Sequence, residues 1–209
     1  MRPLTSSAVL VVALAGSFLP SSAQPEAVRK RLLGPGTASS DVANDASFSP
    51  DGEWVVARWT FPNEYNRSLY AVRRDGSQMH QISSDTSAVD VDSFVITPDS
   101  RYVVYAALLL ADDRMELRSV PISGPAVNVR LSPSWTSGFG VEDYEISRDS
   151  SRVVMSGHFD DPDTLQIYSA PIAGPTGATV QLNPPPVLNG EVYEFEISPD
   201  SSRVVFSGD

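Results

Sequence analysis

The side chains able to do chemistry are few, and the densest group is acidic. Asp160, Asp161 and Asp163 fall within four positions of His158-Phe159-Asp160-Asp161-Pro162-Asp163-Thr164. Carboxylates crowded in this way suit a hard cation such as calcium, which takes oxygen ligands. A full calcium loop also needs a late bidentate carboxylate, and none stands at that spacing. The expected role of the three is a solvated Asp/Pro turn, with a calcium site as the alternative. The chain has two histidines, His80 and His158, and neither has a second histidine at metal-ligand spacing. There is no cysteine, which excludes thiol catalysis and cysteine-ligated zinc. No Gly-x-Ser-x-Gly elbow and no phosphate-binding glycine loop is present. The expectation is a protein without catalytic residues or cofactor. Asp112 and Asp113, on one loop, and Trp135 and Phe139, on another, are candidates for contact with a partner, because exposed aromatics can anchor one.

The elements that must carry these residues are set by a stretch that occurs four times. Phe48-Ser49-Pro50-Asp51-Gly52 precedes the apolar run Trp54-Val55-Val56. The pattern returns at Ile96-Thr97-Pro98-Asp99-Ser100, at Ile146-Ser147-Arg148-Asp149-Ser150 and at Ile197-Ser198-Pro199-Asp200-Ser201. The four aspartates stand 48, 50 and 51 residues apart, the mark of an array of one supersecondary unit. Apolar residues two apart before each turn, such as Phe94 and Ile96, give the period of a strand with one buried face. Asp-Gly or Asp-Ser then reverses the chain, and a valine-rich strand follows. Each copy therefore predicts a hairpin, strand a to strand b, with turns at 50–52, 98–100, 148–150 and 199–201. Strand c is read at Leu69–Val72, Leu117–Val120 and Ile167–Ala170, and strand d at Met79–Ile82, Val127–Leu131 and Ala178–Leu182. Four strands in a unit of about 50 residues predict a β-propeller blade.

Ser-Pro-Asp-Gly/Ser before a valine-rich strand, then Leu-Tyr-x-Val and a glycine turn, resembles the TolB-type, WD-repeat-like propeller repeat of exported bacterial proteins. Pro121-Ile122-Ser123-Gly124-Pro125 and Pro171-Ile172-Ala173-Gly174-Pro175 are similar to one of its subgroups. The resemblance covers about residues 45–209; the Trp-Asp dipeptide of true WD repeats is absent. Arg148 replaces the usual proline, so the third turn is expected to be looser. The resemblance implies an all-β propeller of about four antiparallel blades, at 45–83, 92–132, 142–183 and 192–209, the last incomplete. It also implies a protein-interaction or scaffold role. Propellers of this type precede serine-peptidase domains too, which makes an inactive piece of such a protein the second reading. A metal enzyme acting through a central channel is the third. There Glu145 and Glu196 occupy matching inner positions beside Ser47 and Val95, two carboxylates among four places.

Residues 1–23 read as a signal peptide: Arg2, the apolar stretch from Ala8 to Leu19, and the small residues Ser21-Ser22-Ala23. The apolar stretch is too short for a membrane span, and the expected location is the periplasm or the exterior. Residues 24–44 form an N-terminal segment in which Val28-Arg29-Lys30-Arg31-Leu32-Leu33 reads as a closing strand. The formal charge of −11 argues against nucleic acid and anionic membranes and favours a cationic protein or peptide partner. Asn63, Glu64, Asp85, Asp90, Asp92, Glu142, Asp143 and Glu191 join the aspartates above on loops expected to open on one acidic face. The two strands of the fourth copy predict an unfinished blade. Its open edge implies either a fragment of a longer propeller or pairing in a dimer.

Overall fold

The computed structural model describes residues 42–60, 66–84, 89–125, 127–134, 139–183 and 192–208, and every regular element among them is a β-strand. The first blade holds β1 (Val42–Phe48), β2 (Trp54–Thr60), β3 (Arg67–Arg73) and β4 (Met79–Gln81), paired antiparallel in chain order. The second holds β5 (Val89–Ile96), β6 (Tyr102–Leu109), β7 (Arg114–Pro121) and β8 (Val129–Arg130). The third holds β9 (Gly140–Ile146), β10 (Arg152–His158), β11 (Gln166–Pro171) and β12 (Val180–Gln181). The fourth consists of β13 (Val192–Ile197) and β14 (Val204–Gly208). The sheets do not close into a barrel; they follow one another as the blades of a partial, open propeller. The signal peptide, the segment Val28–Leu33, Trp135, Asn63, Glu64, Asp85 and Glu191 lie outside the described residues.

All four predicted hairpin turns form, and one device closes each. A hydroxyl donates to the aspartate two residues on: Ser49 to Asp51 at 2.5 Å, and Thr97 to Asp99, Ser147 to Asp149 and Ser198 to Asp200 at 2.6 Å. The next residue takes positive φ, 71° at Gly52 and 61–62° at Ser100, Ser150 and Ser201. The serine hydroxyl is the chief reason that the carboxyls of Asp51, Asp149 and Asp200 sit below their usual range. The third turn is not looser for having Arg148. Its Ser147 N–H reaches the Arg152 carbonyl at 2.9 Å, as Ser49 reaches Trp54. The hydroxyl–carboxylate bond, rather than the proline ring, holds the turn.

The turns are also tied to each other. Asp51 N–H donates to Ser100 Oγ at 3.0 Å, Asp99 N–H to Ser150 Oγ at 3.0 Å, and Asp149 N–H to Ser201 Oγ at 3.2 Å. Each serine thus holds its own turn and fastens the preceding blade. Gly52, in the first blade, has no hydroxyl to give.

One apolar core fills each junction. Val56, Leu69 and Ile82 meet Val91, Val103 and Tyr105 between the first and second blades. Val104, Leu117 and Leu131 meet Val141, Val153 and Met155 between the second and third. Val154 and Ile167 meet Val192 and Ile197 between the third and fourth. Val55, Val103 and Val153 are buried as the strand pattern requires; Val204, in the two-stranded blade, is only half-buried.

Strand a starts earlier than expected. Asp90 and Asp92 lie in β5, and Glu142 and Asp143 in β9, not in loops. A bulge accounts for the longer strand. In each strand a, one residue is skipped in the pairing with strand b: Asn44, Asp92, Glu142 and Tyr193. Four bulges at one register position are a built feature of the repeat, of the kind that re-aims neighbouring side chains.

Candidate functional site: an acidic cavity beside the fourth blade

The bulges bring acids to the inner strands, and the residue across the ladder decides what each acid meets. After the bulge stand Asp45, Ser93, Asp143 and Glu194, opposite Arg58, Ala106, Ser156 and Ser207. In the first blade, Arg58 Nε pairs with Asp45 at 3.0 Å. In the third and fourth blades the same place holds a serine, so the acid has no cation across from it.

A second position varies in the same direction. Arg67, Met115 and Leu165 are equivalent by register, as are Asp90 and Gly140. Arg67 clamps Asp90 from two nitrogens, at 2.9 and 2.6 Å, while its backbone N–H reaches the same carboxylate at 2.7 Å. Burial opposes ionisation of Asp90, but these bonds outweigh it and hold the carboxyl below its usual range. At the next junction backbone replaces the ion pair. Met115 N–H donates to the Phe139 carbonyl at 3.0 Å, and Met115 and Gly140 form a parallel bridge that joins the two sheets. A Cβ on Gly140, whose φ is 92°, would lie 2.1 Å from the Met115 carbonyl oxygen, so only glycine permits this approach. At the last junction Leu165 borders an open space.

That space is a cavity of about 630 Å³. Glu142, Asp143, Glu194 and Glu196 line it together with Ser156, Ser207 and the apolar Leu165, Val192, Phe195, Val205 and Phe206. Among the described residues that line it there is no arginine or lysine. His158 Nε2 stands 3.2 Å from Glu142 Oε1 and is the one basic group paired with these acids among the described residues. An acidic rim over apolar walls is a surface for a cationic group carried on an apolar stem.

The predicted site residues are only partly gathered here. Glu196 borders the cavity, but Glu145 Oε2 accepts the Ile197 N–H at 3.0 Å and so fastens the fourth blade. Among the described residues, no three histidine, aspartate or glutamate side chains are arranged to hold a metal ion. Asp160, Asp161 and Asp163 are exposed, and Asp161 accepts the Asp163 N–H at 2.9 Å and caps its own turn. Asp112 and Asp113 lie exposed on the β6–β7 turn, where Asp113 takes φ 54°. Phe139 is 63% exposed, and its carbonyl bonds Met115 at the foot of that turn. His80 packs edge-on to Trp54 at 5.8 Å, and neither of its ring nitrogens has a hydrogen-bond partner among the described residues. Sequence reading named Glu142, Asp143 and Glu196 for other reasons. It missed Glu194, Ser156 and Ser207, whose relation depends on the skipped residue in strand a.

No protein-family model matches the chain, and no curated protein matches it in sequence. Among solved structures it is similar to one assigned as TolB from Agrobacterium tumefaciens, with a TM-score of 0.51 at 18% identity. The match covers 82% of this chain and 55% of that one, so this chain spans little more than half the length of its structural neighbour. The likeness shows a TolB-like fold. No helix among the described residues is long and apolar enough to cross a membrane.

Proposed function

We propose that this chain is an exported, non-catalytic protein-interaction module, and that its acidic cavity receives a cationic segment of a protein or peptide partner. The cavity carries this reading: four carboxylates border one space in which the arginine positions of the first blade have become Ser156, Ser207 and Leu165. The TolB-like fold supports the interaction role at the level of architecture. Export rests on residues 1–23, and N-terminal sequencing of the secreted protein should begin at Gln24.

The test of the cavity is binding of a fluorescent peptide of alternating arginine and glycine to the mature chain. Glu194→Gln with Glu196→Gln should weaken binding about tenfold, and raising the salt should weaken the wild type in parallel. Equal affinity of wild type and double variant would overturn the reading.

A further inference from the structure

We propose that Phe139, set between the acidic turns of the second and third blades, is a docking site for a partner protein whose contact residue is a large apolar side chain flanked by lysine or arginine. The inference rests on the interaction role above but not on the acidic cavity. Phe139 and Val89 are equivalent, each standing one residue before the matched pair Gly140 and Asp90. Val89 is 8% exposed and belongs to the core between the first and second blades. Phe139 is 63% exposed. The core at its own junction takes its aromatic from the other side of the ladder, where Phe159, equivalent to Leu109, is fully buried. What Phe139 gives to the fold comes from its backbone: its carbonyl accepts the Met115 N–H at 3.0 Å, beside the Met115–Gly140 bridge. The junction does not need the ring, and an exposed ring is the kind of group that anchors a partner.

A second apolar residue stands nearby. Leu110, 47% exposed, follows Leu109, which pairs with Arg114. The parallel bridge sets Arg114 alongside Phe139, so Leu110 and Phe139 are about two strand spacings, roughly 10 Å, apart.

Charge specifies the occupant. Gly140 bridges Met115 on one side and pairs with His158 on the other. Phe139 therefore lies between the β6–β7 turn, with Asp112 and Asp113, and the β10–β11 connection, with Asp160, Asp161 and Asp163. All five aspartates are exposed, and Arg114, half-buried, is the one arginine or lysine in residues 110–114 and 159–165. An apolar ring between two groups of carboxylates complements an apolar side chain with cations on both sides of it. A second copy would set the same aspartates against each other, which like charge opposes. The two blades beside Phe139 are complete, β5 to β8 and β9 to β12. Units of a stacked array contact only their neighbours, so a further blade would pack on the first or the fourth and leave Phe139 uncovered.

The probe is a fluorescein-labelled peptide of the sequence Gly-Lys-Arg-Trp-Leu-Lys-Arg-Gly, titrated into the mature full chain. One control carries glycine for tryptophan and leucine, the other glutamine for the cations. Saturable binding of the probe is expected, at least about tenfold tighter than that of either control. Phe139→Ser keeps the backbone bond to Met115 and should remove that advantage over the glycine control. Leu110→Ser, away from the bridge, should weaken the probe about threefold. Asp112→Asn with Asp113→Asn should weaken the probe and flatten its salt dependence; asparagine accepts the φ of 54° at residue 113 as aspartate does. Glu194→Gln with Glu196→Gln should leave the advantage of the probe over the glycine control within about twofold of wild type. Failure of an arginine–glycine peptide to bind would strike the cavity and leave this comparison intact. The proposal is overturned if the probe shows no saturation at about 1 mM, if the glycine control binds as tightly, or if Phe139→Ser and Leu110→Ser both bind like wild type. Light scattering that shows a dimer of the mature chain, lost in Phe139→Ser, would overturn it in favour of a second copy.

Discussion

The first and last junctions of this propeller have the same backbone and opposite chemistry. In the first blade Arg58 answers Asp45, and at the junction with the second Arg67 answers Asp90 and Asp92 beside an apolar core. Between the third and fourth, the same register positions carry Ser156, Ser207 and Leu165, and the acids border open space. The repeat fixes where a carboxylate stands, and the residue across the ladder decides whether it meets a cation, as Asp45 meets Arg58, or a serine, as Asp143 and Glu194 do. The middle junction takes a third course, in which Met115 and Gly140 join by backbone alone.

The comparison breaks most sharply at Gly140. Gly140→Ala places a Cβ into the Met115 carbonyl and forces positive φ on alanine. A loss of about 3 kcal/mol or more is expected in urea unfolding; a loss below about 1 kcal/mol would mean that the bridge is dispensable. Next in size is the pair Val154→Ala and Val205→Ala. The buried valine should cost about 2 kcal/mol and its exposed equivalent less than about 0.5 kcal/mol. Similar losses by calorimetry would show that Val205 is covered in solution.

Arg67→Met copies the second-blade residue into the first. It should cost about 1–2 kcal/mol at neutral pH, because Asp90 keeps its partial burial and loses its partner. The same variant tests a pH effect. Asp90 is held below its usual range in the folded chain. Its contribution is therefore full above the unfolded carboxyl value of about 3.9 and is lost as the pH falls through the depressed folded value. Wild type should lose stability over that acid range, and Arg67→Met should lose less of it. Identical slopes would place the acid sensitivity elsewhere. The smallest effect is Gly52→Ser. The other three turns hold serine at 61–62°, and a Cβ at Gly52 meets nothing within 4 Å. A change within about 0.5 kcal/mol is expected; a larger loss would show that the first turn differs from its equivalents.

The hairpins were legible because their signals are local: an aspartate, a positive-φ residue, and alternation on either side. The cavity was not. Glu194 and Ser207 are 13 residues apart in the chain and face one another only because strand a skips Tyr193. A single skipped residue moves every following side chain to the other face, and no residue type announces it. Glu145 and Glu196 show the reverse limit: the sequence placed them as equivalents, which they are by register. Glu145, however, is taken up by the Ile197 N–H. Arg148 was expected to loosen a turn because proline was credited with work that the Ser147 hydroxyl does.

The serine that fastens each turn to the preceding one has a consequence for cooperativity. Every such bond links nearest neighbours only, Ser100 to Asp51, Ser150 to Asp99 and Ser201 to Asp149. The molecule then behaves as a one-dimensional series of coupled units, its stability a sum of blade terms and junction terms. Among the described residues, the two-stranded unit shares the smallest of the junction cores. Opening should begin there and spread inward blade by blade, so that the region bordering the acidic cavity is also the first to breathe.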